Sequence, residues 1–158
     1  MARNSDGRLV EDLILSCTGG EVSSEAAQKA VRAVCRHYGG LMIYIPAKKE
    51  GGASAKNLRG VIADAVGDRL AEIILGKIMA LYGNISIYIP QERSAFKKTI
   101  ALEIYERHGK ESMNDLAREY GISFTNGYSL RRIGQKEKLK SSMPFLPFLE
   151  MAEKNNPD

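Results

Sequence analysis

Polar and cationic side chains gather in one stretch near the C-terminus. Ser123, Thr125, Asn126, Tyr128, Ser129 and Arg132 come first. Arg131, Lys136, Lys138 and Lys140 give a basic run relieved only by Glu137. These residue types recognise; they do not make or break bonds. On the N-terminal half of a helix they reach base edges in a DNA major groove. Arg pairs bidentately with guanine there and Asn with adenine. The following cations suit phosphate contacts, which set affinity and its salt dependence. A Lys-rich run by itself is equally a solvated face, so the preceding elements decide.

Those elements read as a helix-turn-helix. Ser112 caps a short helix, M-N-D-L-A-R-E-Y, which Gly121 stops; Ser123 caps the next, beginning at Phe124. Ala117 is small where two helices would cross, and Gly121 stands where the turn needs positive φ. Leu116 and Tyr120 are expected in the core, with Ile122 plugging the turn. Upstream, residues 94–108 place Phe96, Ile100, Ile104 and Tyr105 at helical spacing, closing at His108-Gly109. Gly127 is awkward, because Gly costs roughly 1 kcal/mol inside a helix. Leu130 and Ile133 are expected to supply the packing instead.

The first ninety residues hold an internal repeat. A shift of 44 positions carries V-C-R-H-Y-G-G-L-M-I-Y-I-P (34–46) onto I-M-A-L-Y-G-N-I-S-I-Y-I-P (78–90). In the first copy Ser23 or Ser24 caps a helix, and Ala27, Ala30, Val31, Val34 and Tyr38 keep helical spacing to Gly39. Leu41 to Ile45 reads as a strand that Pro46 stops. In the second copy Leu70, Ile74, Ile78 and Leu81 form the apolar face, and Ile85 to Ile89 the strand. Tyr44-Ile45-Pro46 and Tyr88-Ile89-Pro90 are the matching strand ends. So short a strand needs a partner: its twin in the same chain, or a second subunit. Leu9, Val10, Leu13 and Ile14 predict one further helix, and Leu58, Val61, Ile62 and Val66 another.

The domains therefore read as a duplicated helix-strand segment at 1–90, with copies at about 9–46 and 58–90 and a linker at 47–57. A helix-turn-helix domain follows at 91–140 and an apolar, Pro-bearing tail at 141–158. The fold class is mainly α with a small antiparallel β ribbon. Gly51-Gly52 beside Lys48, Lys49 and Lys56 is no P-loop, since no G-K-[ST] follows.

The 158 residues, 44% hydrophobic, suffice for a real core, and a net charge of +4 permits a nucleic-acid partner without demanding one. Cys17 and Cys35 form no C-x-x-C pair, which fits a reduced, cytoplasmic setting. Cys35 and His37 point to different faces of a helix, so no metal or other cofactor is expected. No nucleophile–base or paired-carboxylate pattern appears, so an enzyme is not expected. Neither a signal peptide nor a membrane span is expected. Phe145, Leu146, Phe148, Leu149 and Met151 in the tail would be costly to leave in water. They are expected to dock on the rest of the chain or to bind a partner.

The motifs together resemble the Mor transcription activator family, the middle-operon and late-gene activators of Mu-like phages. The resemblance lies in A-V-G-D-R-L-A-E-I-I-L-G-K-I-M-A-L-Y-G-N-I-S-I-Y-I-P followed by D-L-A-R-E-Y-G-I-S-F-T-N-G-Y, covering about Leu58 to Lys140. It implies an intertwined dimer with the Y-I-P strands at the hub. Two helix-turn-helix units would enter successive major grooves of double-stranded DNA, and RNA polymerase would be recruited. Recognition residues then fall on Ser123 to Arg132. Two departures stand out: Gly127 and Arg131 replace expected aliphatics, and the helix-strand unit occurs twice. A homodimer and a single-chain pseudo-dimer are therefore both open. Alternatives to an activator are a repressor or recombination accessory factor, and a protein-interaction module that binds no DNA.

Overall fold

The computed structural model describes residues 5–48 and 52–142. The tail expected to dock or to bind a partner lies almost wholly outside the described residues. Ten elements follow in chain order: α1 (Ser5–Cys17), α2 (Ser24–Tyr38), β1 (Met42–Ile45), α3 (Gly52–Val66), α4 (Asp68–Tyr82), β2 (Ile85–Tyr88), α5 (Glu92–Ala95), α6 (Lys97–Arg107), α7 (Met113–Tyr120) and α8 (Phe124–Ser142). The architecture is mainly helical with one two-stranded antiparallel sheet among the described residues. Two compact units divide after Phe96.

In the first unit, α2 begins where the Ser23 hydroxyl accepts a hydrogen bond from the Ala26 amide. Its buried stripe is Ala27, Ala30, Val31, Val34 and Cys35. The buried stripe of α4 is Ala71, Ile74, Leu75, Ile78 and Met79, each 44 positions further on. Leu81 was expected on that apolar face but is 56% exposed; Leu75 and Met79 take the core positions. The helix α3 packs on both α2 and α4, and α1 also touches both.

The 44-residue offset also governs the ribbon. Strand β1 pairs with β2 of the same chain, with Met42 opposite Tyr88, Ile43 opposite Ile87, Tyr44 opposite Ser86 and Ile45 opposite Ile85. Ile43 and Ile87 are themselves 44 apart, so that pair is its own image under the offset. The turns into the strands match as well. The Gly40 amide donates to the Ile89 carbonyl at 2.8 Å, and the Asn84 amide to the Ile45 carbonyl at 2.8 Å. Gly40 and Asn84 both have positive φ, at +86° and +67°. A Cβ on Gly39 would lie 2.9 Å from the Gln91 Cα, and one on Gly83 3.1 Å from the Ala47 Cα. Backbones pass too closely at these two points for a side chain.

Two expectations need correcting here. Residues 52–57, read as part of a linker, are the start of α3, because Ala55 packs into the core in register with Leu58 and Ile62. The helix expected to run through Phe96 is broken there, with φ −112° and ψ 30°. Glu92 explains the break. Its carboxylate accepts hydrogen bonds from Arg32 Nε at 2.6 Å and from Arg36 at 2.8 and 3.0 Å. The Arg32 guanidinium also stands 5.9 Å from the centre of the Phe96 ring. These contacts fasten α5 and Phe96 to α2, so the first unit extends past residue 90.

Candidate nucleic-acid interface

The second unit is built from α6, α7 and α8. Ile100, Ala101 and Ile104 of α6 and Met113, Leu116 and Ala117 of α7 are buried, and α8 packs against both helices. The Ser112 hydroxyl caps α7, accepting from the Asp115 amide at 3.2 Å and donating to the Asp115 carboxylate at 2.7 Å. Gly121 ends α7 in the left-handed conformation, φ 65° and ψ 37°. The Ile122 amide then donates to the Ala117 carbonyl at 2.9 Å, closing the turn. Ile122 is half-buried beneath it.

A polar cluster locks α6 to α7. Arg107 donates to Glu111 and Glu119 through paired contacts of 2.7–2.9 Å, and to the Tyr120 hydroxyl at 3.1 Å. The Tyr120 hydroxyl in turn donates to Glu103 at 2.8 Å. The two carboxylates and the phenol favour the charged guanidinium and hold the Arg107 pKa above its ordinary value. Burial, and then the bond to Glu103, raise the Tyr120 phenol. These hydrogen bonds join α6 to α7 on the solvent-exposed side of the unit.

The long helix α8 starts where the Ser123 hydroxyl accepts from the Asn126 amide at 3.1 Å. Ser123, named from sequence among the recognition residues, is thereby the cap of α8. The buried positions of α8 are Gly127 and Gly134. A Cβ on Gly127 would sit 2.5 Å from the Met113 sulfur, and one on Gly134 2.0 Å from the Ala101 carbonyl oxygen. This accounts for the awkward glycine: Met113 of α7 fills the space that an aliphatic at 127 would otherwise occupy. Leu130 and Ile133 are half-buried beside the two crossings.

The outer face of α8 is polar. Thr125, Ser129, Arg132 and Lys136 form one exposed stripe at helical spacing, with Asn126 exposed beside it. The helix carries five cations and one carboxylate, Glu137. The remaining expected residues are less free. Tyr128 is 37% exposed and meets the rings of Phe124 and His108 edge-on, at 5.0 and 5.5 Å. Arg131 and Lys140 are half-buried, and Lys138 pairs with Glu106 at 3.0 Å. Phe124, 49% exposed at the start of α8, was missed from sequence. Its signal was an aromatic residue opening a helix of otherwise polar outer face.

The paired strand ends behave differently within the first unit. Ile45, Pro46, Ile89 and Pro90 are buried, whereas Tyr44 and Tyr88 are 52% and 45% exposed. The Tyr44 hydroxyl donates to the Asn84 side chain at 2.9 Å. Among the described residues no helix is long and apolar enough to cross a membrane.

A helical framework presenting one polar, cationic helix face has the make-up of a binding protein. The sequence model of the Mor transcription activator family matches residues 52–144, more than half of the chain, and the chain belongs to that family. The family is one of transcription regulators, not of enzymes, and its membership implies DNA binding. No curated protein and no solved structure matches the chain.

Proposed function

We propose that α7 and α8 act as a helix-turn-helix whose second helix enters the major groove of double-stranded DNA. On this reading the protein activates transcription in the cytoplasm by recruiting RNA polymerase, and is encoded by a phage or prophage. Thr125, Asn126, Ser129 and Arg132 contact base edges; Lys136, with Arg131, Lys138 and Lys140 at the flanks, contacts phosphates. Ser123 has two uses, capping α8 and offering its first turn to a phosphate. The observation that carries the proposal is the exposed stripe Thr125, Ser129, Arg132 and Lys136, free of carboxylates and facing solvent.

The test is duplex binding by electrophoretic shift as salt is raised. About four phosphate contacts give a slope of about −3.6 in log affinity against log salt, or roughly a 150-fold loss between 50 and 200 mM. A flat response, or no shift with any duplex, would overturn the proposal and leave a protein-binding role for α8. Activation is read separately, from a reporter behind a promoter carrying the selected site. Reduced transcription there would make the protein a repressor.

A further inference from the structure

We infer that this chain closes its dimer-like hub by itself and binds DNA as a monomer, so that its ligand is one asymmetric half-site. The inference rests on the DNA-binding reading above and deepens it. A two-fold dimer demands a palindromic site, because each subunit brings one reading helix and the dyad relates them. Here the dyad-like relation lies inside one chain. Strand β1 meets β2 of the same molecule, and Ile43 opposite Ile87 marks the centre. The flanking turns match at the same offset: Gly40 to Ile89, and Asn84 to Ile45. The two close backbone passages, Gly39 at Gln91 and Gly83 at Ala47, match as well. The five core residues of α2 map one by one onto those of α4.

The family match begins at Gly52, the first residue of α3. Thus α1, α2 and β1 lie before it, and they pack on α3, α4 and β2 of the same chain. Strands β1 and β2 belong to one chain, with residues 46–84 and the packed helices α3 and α4 between them. Their pairing is therefore intramolecular, at an effective concentration on the order of millimolar. A second copy at micromolar concentration competes about a thousandfold less well for the same edge.

The two halves are alike in packing and unlike in what they carry. Glu92, leading towards the second unit, is held by Arg32 and Arg36 of α2. The positions 44 away are Lys48, Gly76 and Ala80, which cannot form that clamp. Only the second half is followed by a long basic helix among the described residues. One hub therefore serves one reader.

Two measurements on the full chain decide the matter. Tyr44 and Ser86 face each other on the exposed side of the ribbon, at the separation of paired strands, which a disulfide spans. The double variant Tyr44→Cys with Ser86→Cys is oxidised and run on a denaturing, non-reducing gel. The native thiols do not compete: Cys17 and Cys35 are buried, and burial pushes the Cys17 thiol up to about 11. A band at the mass of one chain, 17.4 kDa, that runs ahead of the same sample after reduction is expected; a species of twice that mass, or a single-chain band that reduction does not shift, overturns the inference. Sedimentation of the unmodified protein, alone and with a duplex chosen by selected-site binding, is the second arm. A monomer and a one-to-one complex on a non-palindromic site are expected, with an inverted half-site adding less than twofold to affinity. A two-to-one complex on a palindrome, tightened by tenfold or more, overturns the inference and leaves DNA binding intact. Failure to bind every duplex removes the functional reading and the assigned ligand with it, while the gel still reports on the hub.

Discussion

Replacing Gly134 by alanine should destabilise the second unit, although alanine is the better helix former. The substitution favours α8 by roughly 1 kcal/mol on propensity alone. Against that, the new Cβ would lie 2.0 Å from the Ala101 carbonyl oxygen, 2.6 Å from its carbon and 2.8 Å from the Tyr105 Cβ. Ordinary contacts sit near ~3.5 Å, so α8 must move about 1.5 Å off α6. The obstacle is backbone, which cannot swing aside. Overpacking of this kind costs about 1–3 kcal/mol and sometimes more. Because the obstacle is backbone, the cost should fall at the upper end of that range, for a net loss of about 2 kcal/mol once the propensity gain is set against it. Two other glycines calibrate the argument. At Gly127 the obstacle is the Met113 sulfur at 2.5 Å, the flexible end of a side chain. Gly127→Ala should therefore stay within about 1 kcal/mol of wild type. Gly60 in α3 has nothing within 4 Å, so Gly60→Ala should stabilise by roughly 0.5–1 kcal/mol. Urea unfolding followed by helical circular dichroism measures all three. A Gly134→Ala midpoint equal to or above wild type would refute the close crossing of α6 and α8.

Other expectations follow from the same contacts. Arg132→Ala should weaken binding to the selected duplex by roughly 1–3 kcal/mol and relax specificity at one base pair. Lys136→Ala should weaken all duplexes alike and reduce the salt slope by about 1; titrations across sequences and salt separate the two. Burial alone would raise the Glu92 carboxyl, but the hydrogen bonds from Arg36 and Arg32, with their charges, hold it below the usual carboxylate range. A depressed carboxyl stabilises the fold above its ordinary pKa of 4.5, and that contribution fades as pH falls through the folded value. Glu92→Gln should therefore lower stability at neutral pH by about 1–3 kcal/mol and flatten the acid limb of the stability profile. An unchanged acid limb would show that the clamp contributes nothing.

Much of this arrangement is legible in the chain before any coordinates. The Ala27–Val31–Val34 spacing and its image 44 residues later mark two amphipathic helices, because burial of one stripe imposes that period. The caps Ser23 and Ser112 and the turn at Gly121 declare themselves through local chemistry. The polar stripe of α8 is likewise visible, since exposed positions are free to be polar. What escapes are features set by distant partners. The break at Phe96 depends on Arg32 and Arg36, about sixty residues upstream, so a continuous helical pattern runs straight through it. Residues 52–57 are small and polar, and only the neighbouring α2 and α4 make Ala55 a core residue. Gly127 and Gly134 read as penalties until Met113 and Ala101 are placed against them. Leu81 shows the converse: helical spacing offers a position to the core, but whether it is covered depends on what packs there.

The central claim is that the first turns of α8 lie in a major groove, and methylation interference addresses it most directly. Guanine N7 lies on the floor of that groove. A selected duplex partially methylated at N7 is sorted into bound and free fractions by the protein. The account predicts that methylation at one short cluster of guanines blocks binding, and that Arg132→Ala abolishes the block at one of them. Tight, salt-sensitive binding with no interference at any guanine of a guanine-containing site would contradict it.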